Sequence, residues 1–401
     1  MTRRAYAIII ACFFTVSIAY GIRYAYGMLL PEMLPALGIS KTQAGTVFAV
    51  YFMVYTLFTP VLGTLSDLFN YRLIIVLFTA VLSAGAFFMA YAGGFGQACL
   101  IFSVAGLGHA ACWAPVAALV SKWVPDHKRG TALSFVTMGV GLGIPLWGTL
   151  LPVIVAAANW RSGWLAMGVF GFCVAVLNLI LVRNPILVRP SRTSVRAKSR
   201  EVWETYKGLF KNKTFWIIGT AYMLVGFNVL VPFTFLPVYA RESLHLTYDT
   251  STRFLTVIAL FGIGGQLTLG TLSDKAGRAN IMVLCSFIMG IGCLCMVFFK
   301  TAWGLYATMA LYGLGYGAVW PVYAASASDF FEKSKTGSVV GLWTVFLGLG
   351  SIASPVICGW TIDRTAGYTW AFSLGLCSDI LSCLVLMQMF LPKTKPVAAV
   401  E

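Results

Sequence analysis

Apolar stretches of about 20 residues recur along the whole chain. A stretch of that length, wound as an α-helix, crosses the roughly 30 Å of hydrocarbon in a bilayer, whereas strands of a membrane barrel are about half as long and alternate polar with apolar residues. The 59% hydrophobic and 10% charged composition excludes a water-soluble domain of this size. We therefore predict an all-α membrane protein with twelve membrane-spanning helices, at 6–30, 42–65, 73–92, 95–121, 130–157, 160–183, 214–240, 250–270, 280–299, 302–326, 337–360 and 366–391.

Basic residues are distributed unevenly between the predicted loops. With both termini in the cytoplasm, 21 of the 28 Lys and Arg fall on the cytoplasmic side, six fall outside, and Arg23 lies within a span. This asymmetry follows the positive-inside rule and accounts for the net charge of +15 without nucleic acid as a partner. We expect a multi-pass protein of a bacterial inner membrane. Its densest basic segment, 183–213, is either a solvated linker that fixes topology or a binding site for anionic lipid.

The sequence repeats itself at an offset of 207 residues. "GTLSD" at 63–67 recurs at 270–274, and "GLGHAACW" at 106–113 aligns with "GLGYGAVW" at 313–320. Because the same offset holds in separate pairs of spans, it indicates an internal duplication. We predict an N-terminal six-helix half at 1–183, a basic cytoplasmic linker at 184–213 and a C-terminal six-helix half at 214–401.

The loop at the end of each "GTLSD" copy resembles the signature of the major facilitator superfamily of secondary transporters, roughly G-x-x-x-D-(R/K)-x-G-R-(R/K). The second copy matches it at Gly270, Asp274, Lys275, Gly277 and Arg278. The first copy keeps Gly63, Asp67 and Arg72 but has Leu68 and Asn70 in place of a base and a glycine. Since Asn tolerates left-handed backbone, we expect the turn to survive.

This resemblance implies the major facilitator fold, in which two pseudo-symmetric six-helix bundles rock about a midplane substrate site to give alternating access. It also implies that the matching signature residues form conformational latches. They would hold the halves together while the outer gate is open and release when that gate closes.

One basic residue lies inside a predicted span. Four residues of the first span share one helical stripe, at i, i+3, i+4 and i+7: Tyr20, Arg23, Tyr24 and Gly27. Arg keeps its charge in a protein, and hydrocarbon offers it no partner. In the superfamily the first helix lines the cavity, so we expect Arg23 to bind a small carboxylate, with two tyrosines as hydrogen-bond partners and Gly27 leaving room. Alternatively, Arg23 pairs with an internal acid or a carbonyl and only fixes packing.

Two duplicated positions are further candidates. His109 and Tyr316 are equivalent residues of the fourth and tenth spans, and each follows a Gly-x-Gly. If both helices face the cavity, His109 and Tyr316 would lie opposite each other across the pseudo-twofold axis. There His109 could hold a proton or bind the substrate. Alternatively, it only donates a hydrogen bond to a neighbouring carbonyl. Asn228 in the seventh span and Gln266 in the eighth are uncharged candidates for the cavity.

Proton coupling has a second candidate in Asp379, the acid placed nearest the middle of a span. The superfamily's twelfth helix is peripheral to the cavity, however, which favours a structural hydrogen bond for Asp379. Many proton-driven members carry an Arg where this chain has Phe102. Proton coupling by that route is therefore not expected.

Two subfamily motifs are also altered. The Gly-Pro pair of drug antiporters is separated here by Ile144, and the eighth span has no basic residue between Arg253 and Lys275, where monocarboxylate porters of the superfamily carry their Arg. If this chain recognises an anion, Arg23 must supply the charge.

We therefore expect a monomeric secondary transporter that carries a small organic anion, a monocarboxylate, by symport with protons, and that resembles bacterial monocarboxylate-type porters. Efflux of drugs or other amphipathic compounds is the alternative, favoured by 14% aromatic residues and 14 Met. A third possible function is that of a sensor that keeps the transporter fold but does not transport. No phosphate loop, nucleophile constellation or metal-ligand spacing is present in the sequence, so we predict no enzyme, cofactor or metal site.

Overall fold

A computed structural model describes residues 2–68, 70–184, 204–332 and 335–390, and that part of the chain contains helices and no strand. Most of the predicted linker, 185–203, and the side chain of Asp67 lie outside the described residues. The helices are α1 (Arg3–Leu37), α2 (Lys41–Leu68), α3 (Tyr71–Met89), α4 (Phe95–His109), α5 (Ala114–Trp123), α6 (Asp126–Ala157), α7 (Trp160–Leu181), α8 (Lys213–Glu242), α9 (Tyr248–Ala276), α10 (Arg278–Phe298), α11 (Ala302–Phe330), α12 (Thr336–Thr365) and α13 (Thr369–Met387), with a 3₁₀ turn at Gln388–Phe390.

Each predicted span coincides with helical structure. Within the described ranges, eleven helical segments are long and apolar enough to cross a membrane. The tenth predicted span, α11, is also continuous over 29 residues, but it is rich in Gly and Tyr and therefore less apolar than the others.

The fourth predicted span is interrupted, because α4 ends at His109 and α5 begins at Ala114. Pro115 occupies the first turn of α5 and has no N–H to continue the hydrogen-bond ladder from α4. The span predicted at 95–121 is present as Phe95–Trp123, with a break within it. The break places His109 at a helix end rather than within a helix.

Successive spans cross the membrane in opposite directions. We call the face where α1 begins at Arg3 the near face, and the face where α1 ends at Leu37 the far face. We call residues 1–183 the N-half and 214–401 the C-half, following the predicted duplication, whose boundaries remain a prediction.

Helix packing between the halves follows the 207-residue offset. α2 packs against α12, and its repeat equivalent α9 packs against α6. Near the middle of the membrane, Thr56 contacts Gly348, and the repeat-equivalent pair Ile263 and Gly141 makes the same contact. Two pairs related by one offset are what a pseudo-twofold axis along the membrane normal requires.

The halves also meet closely toward the far face. Gly27 of α1 and Gly45 of α2 lie directly against the backbone carbonyls of Phe233 and Pro355, respectively. Ion pairs join Lys41 to Glu242 at 3.0 Å and Arg241 to Glu32 at 3.7 Å. These contacts close the space between the halves at the far face.

Candidate functional site

Arg23 is buried in the middle of α1, with 5% of its surface exposed. Its guanidinium carbon lies 4.2 Å from the ring centroid of Tyr55, 4.9 Å from those of Tyr20 and Phe52, and 5.7 Å from that of Tyr51. No ion pair between described residues includes Arg23, and its Nε and Nη2 atoms have no hydrogen-bond partner. Aromatic faces stabilise the cation, and no carboxylate that the structure describes neutralises it.

His109 lies against the same rings. Its Nδ1 atom is 2.6 Å from the hydroxyl of Tyr51, and its Nε2 atom has no hydrogen-bond partner. The imidazole centroid is 4.9 Å from Tyr20 and 5.1 Å from Tyr55, both in edge contacts. We call this group the Arg23 box; its members are Tyr20, Arg23, Tyr51, Phe52, Tyr55 and His109.

The Arg23 box belongs entirely to the N-half, and its repeat equivalents do not form a second box. At the 207-residue offset, Arg23 aligns with Leu230, and the equivalents of the remaining members are Phe227, Ile258, Ala259, Gly262 and Tyr316. The C-half thus presents smaller or uncharged side chains at these positions. The site is electrostatically one-sided.

Tyr24 and Tyr316 join the two halves beside the box. The Tyr316 hydroxyl donates to that of Tyr24 at 3.4 Å, and the ring of Phe233 packs on both, at 4.2 Å from Tyr24 and 5.2 Å from Tyr316. The structure therefore brings together four predicted site residues of α1 and α4 with one of α11. It places them at the contact between α1, α8 and α11.

Asn228 and Asp379 form a separate buried cluster. The side-chain amide of Asn228 donates to the Asp379 carboxylate, and the Cys293 thiol donates to the Asn228 carbonyl oxygen at 2.9 Å. The second carboxylate oxygen of Asp379 has no hydrogen-bond partner. The hydrogen bonds of the Asn228 side chain therefore join α8 to α10 and α13, and not to the Arg23 box.

The remaining two cavity candidates differ in environment. Gln266 is half-buried on α9. Gly27 does not open room for a substrate, because a methyl group there would overlap the backbone carbonyl of Phe233. Its role in this state is to let α1 and α8 approach closely.

The signature loops lie at the near face. Gly277 has φ 89° and precedes α10, a left-handed backbone that favours glycine. Asn70 has φ −78° and caps α3 by accepting from the amide of Leu73, so the expectation of a left-handed residue at this place was wrong. An N-cap side chain replaces the glycine turn there.

The charged signature residues bind within their own halves. Arg278 donates to Asp274 and, at 3.0 Å, to Asp329 at the end of α11. Arg72 donates to the carbonyl of Leu179 on α7. Gly63 and Gly270 are close to Ala114 and Pro321, respectively, in the equivalent helices α5 and α11. Lys275 is exposed.

Sequence reasoning missed Tyr51, Phe52 and Tyr55 of the second span. A signal was present, because Tyr51 and Tyr55 are spaced i, i+4 in "YFMVY" and therefore share a helix face. What the sequence did not reveal is that this face of α2 packs around Arg23.

Comparison with known proteins agrees with this architecture. The profile of the Major Facilitator Superfamily matches residues 12–301 and 254–401. The hexuronate transporter of Bacillus subtilis (strain 168) is 23% identical over 405 residues, which cover 96% of this chain and 94% of that protein. Monocarboxylate transporter 12 of Xenopus laevis is 22% identical over 403 residues, covering 94% of this chain and 87% of that protein.

Among solved structures, the nucleoside transporter NupG superposes with a TM-score of 0.80 at 12% identity, over 96% of this chain and 100% of that one. At this identity the likeness shows the fold alone. The family match extends over nearly the whole chain, and the family consists of membrane transporters, which are not enzymes. The chain is a multi-pass integral membrane protein and belongs to the Major Facilitator Superfamily.

Proposed function

We propose that this transporter carries a small monocarboxylate by alternating access, and that Arg23 binds the carboxylate. The observation that carries this proposal is a buried guanidinium that has no anionic partner among the described residues. Moving an ionised group out of water costs several kcal/mol, and an arriving carboxylate offsets that cost through charge-assisted hydrogen bonds. Nε and Nη2 of Arg23 are free to donate them.

The number of buried cations bears on the charge of the substrate. Among the described residues, Arg23 is the one buried Lys or Arg. One guanidinium neutralises one carboxylate, which favours a singly charged anion over a dianion. The names of the two relatives, a hexuronate and a monocarboxylate transporter, both refer to carboxylates and support the same substrate class.

Protons are the proposed coupling ion, and His109 is the proposed carrier. His109 and Arg23 share the rings of Tyr20, Tyr51 and Tyr55, so a second positive charge on His109 is disfavoured while the site is empty. A bound carboxylate neutralises Arg23 and removes that repulsion. Anion and proton would then bind together, which is the thermodynamic requirement of a symporter.

The contacts around Asp379 favour a structural role for that residue. Its carboxylate accepts from the side-chain amide of Asn228, whose carbonyl oxygen accepts from Cys293, and neither residue belongs to the Arg23 box. Asp379 thus has no described contact through which it could respond to an anion at Arg23. It remains the alternative proton carrier.

The signature residues are proposed latches of the near face. In this state, closed at the far face, the described partners of Arg278 all belong to the C-half. That pattern fits a released latch. We also propose a monomer in a bacterial inner membrane with both termini cytoplasmic, which makes the near face the cytoplasmic one.

Transport by purified protein in liposomes tests the function. With an inward proton gradient, we expect accumulation of labelled lactate or benzoate and no accumulation of glucose. Equal flux with and without protein, for every carboxylate in the panel, would contradict the proposal. Extrusion of cationic dyes without carboxylate flux would instead support the alternative, efflux of amphipathic compounds.

A further inference from the structure

A continuous run of aromatic rings leads away from Tyr24 across the C-half. Phe233 and Tyr316 come first, and the Tyr316 ring lies 5.7 Å from Trp320. Trp320 lies 6.2 Å from Tyr222, which stacks on Tyr323 at 4.3 Å with an interplanar angle of 18°. We call these five residues, Phe233, Tyr316, Trp320, Tyr222 and Tyr323, the aromatic strip.

The aromatic strip lies beside the Arg23 box and extends toward the near face. Tyr316 is the repeat equivalent of His109 and so has the same depth in the membrane. Trp320 and Tyr323 follow it on α11, which runs toward the near face. Tyr222 lies in the first half of α8, which begins at the near face.

One member of the strip is partly exposed inside the bundle. Trp320 is half-buried, as are Tyr20 and Tyr55 of the box. The hydroxyl of Tyr323 is buried without a hydrogen-bond partner. Trp320 is therefore the partly exposed member of the strip, and the other four members are buried.

The two halves offer a substrate different chemistry. The N-half supplies one cation, and the C-half supplies ring faces. A polyhydroxylated acid would need several hydrogen-bond partners from the C-half, but Asn228 is engaged with Asp379 and the Tyr316 hydroxyl with Tyr24. The strip therefore offers the hydroxyl of Tyr323 alone as a buried unpaired group. Ring faces instead favour an aromatic or flat apolar body.

Because a single buried cation lies beside a strip of aromatic rings, we infer that the substrate is an aromatic monocarboxylate. Its carboxylate binds Arg23, and its ring packs against Trp320 and Tyr222. This inference rests on the proposed function and narrows its substrate class. It assigns specificity to the aromatic strip, whereas recognition of the charge stays with Arg23.

Competition binding to the purified, full-length protein tests the inference. The probes are benzoate, cyclohexanecarboxylate of similar size, lactate, glucuronate and the uncharged benzyl alcohol. We expect benzoate to bind about tenfold more tightly than lactate or glucuronate, and about threefold more tightly than cyclohexanecarboxylate, as ring stacking adds to apolar burial. Lactate or glucuronate binding as tightly as benzoate would overturn the substrate class and leave carboxylate transport standing.

Two variants separate specificity from folding. Trp320→Leu should remove the preference for benzoate while the affinity for lactate stays within about twofold. Trp370→Leu, at a position that is 62% exposed on α13, is the matched control and should change neither affinity. If Trp320→Leu lowers the affinities for benzoate and lactate equally, the proposed role of the aromatic strip is overturned. Benzyl alcohol binding as tightly as benzoate would overturn the proposed function itself.

Discussion

The carboxylate of Asp363, near the end of α12, caps the first turn of α2 in the opposite half. It accepts hydrogen bonds from the backbone amide of Lys41 at 3.1 Å, and from the amide and hydroxyl of Thr42 at 2.8 Å and 2.6 Å. The free amides and the positive end of the helix dipole at a helix N-terminus both favour a carboxylate. A helix cap, usually a local feature, therefore connects the two halves here.

Asp363→Asn should loosen the far-face closure. The amide side chain keeps one acceptor but loses the charge, so we expect a loss of about 1 kcal/mol at this exposed position, or roughly fivefold in the closing equilibrium. Hydrogen–deuterium exchange should quicken in peptides covering 38–46 and 355–365 together. Asp249→Asn is the matched control, because Asp249 pairs with Arg253 within α9 and has no described ion pair to another helix. Faster exchange confined to 355–365 would contradict an interhelix cap.

Close helix packing provides a second test of the far-face closure. Gly27→Ala places a methyl group against the carbonyl of Phe233, and Gly45→Ala places one against that of Pro355. Overpacking costs about 1–3 kcal/mol, so both variants should shift the protein away from this state and lower the rate of transport. Gly341→Ala on α12 meets nothing within 4 Å and should transport like the wild type. Normal transport by all three variants would show that these contacts do not constrain the cycle.

Substituting His109 and substituting Asp379, the two buried candidates for the proton carrier, should give different transport results. His109→Gln keeps a hydrogen-bonding side chain near Tyr51 but cannot become positively charged. It should retain carboxylate exchange between equal pools and lose accumulation driven by a proton gradient. Asp379→Asn should retain both activities, because its proposed role is a hydrogen bond to Asn228. If His109→Gln still accumulates carboxylate along a proton gradient and Asp379→Asn does not, the proton carrier is Asp379 on α13 and not His109.

Much of the fold followed from elementary patterns in the sequence. Apolar runs located the helices, and residues related by the 207-residue offset make equivalent contacts in the structure, such as Thr56 with Gly348 and Ile263 with Gly141. The break after His109 was missed because the apolar run continues through it. The Pro115 that ends the hydrogen-bond ladder was the one available signal.

The site was less predictable, because burial of a charge is visible in the sequence but its neighbours are not. Arg23 was conspicuous within an apolar run, and Tyr20 and Tyr24 followed from helical spacing. Phe52 carried no polar signal that would link it to Arg23. The pairing of Asn228 with Asp379 depends on packing between α8 and α13, over a separation of 151 residues, and no local pattern encodes it.

The most direct test of carboxylate binding by Arg23 is the thermal stability of Arg23→Met, measured with and without ligand. Met replaces the aliphatic part of the Arg side chain and removes the uncompensated charge, so the empty variant should unfold at or above the wild-type temperature. Millimolar benzoate or lactate should raise the unfolding temperature of the wild type and of the exposed-site control Arg253→Met, but not that of Arg23→Met. A variant that unfolds well below the wild type yet is still stabilised by carboxylates would show that Arg23 only fixes packing, and would contradict the proposed site.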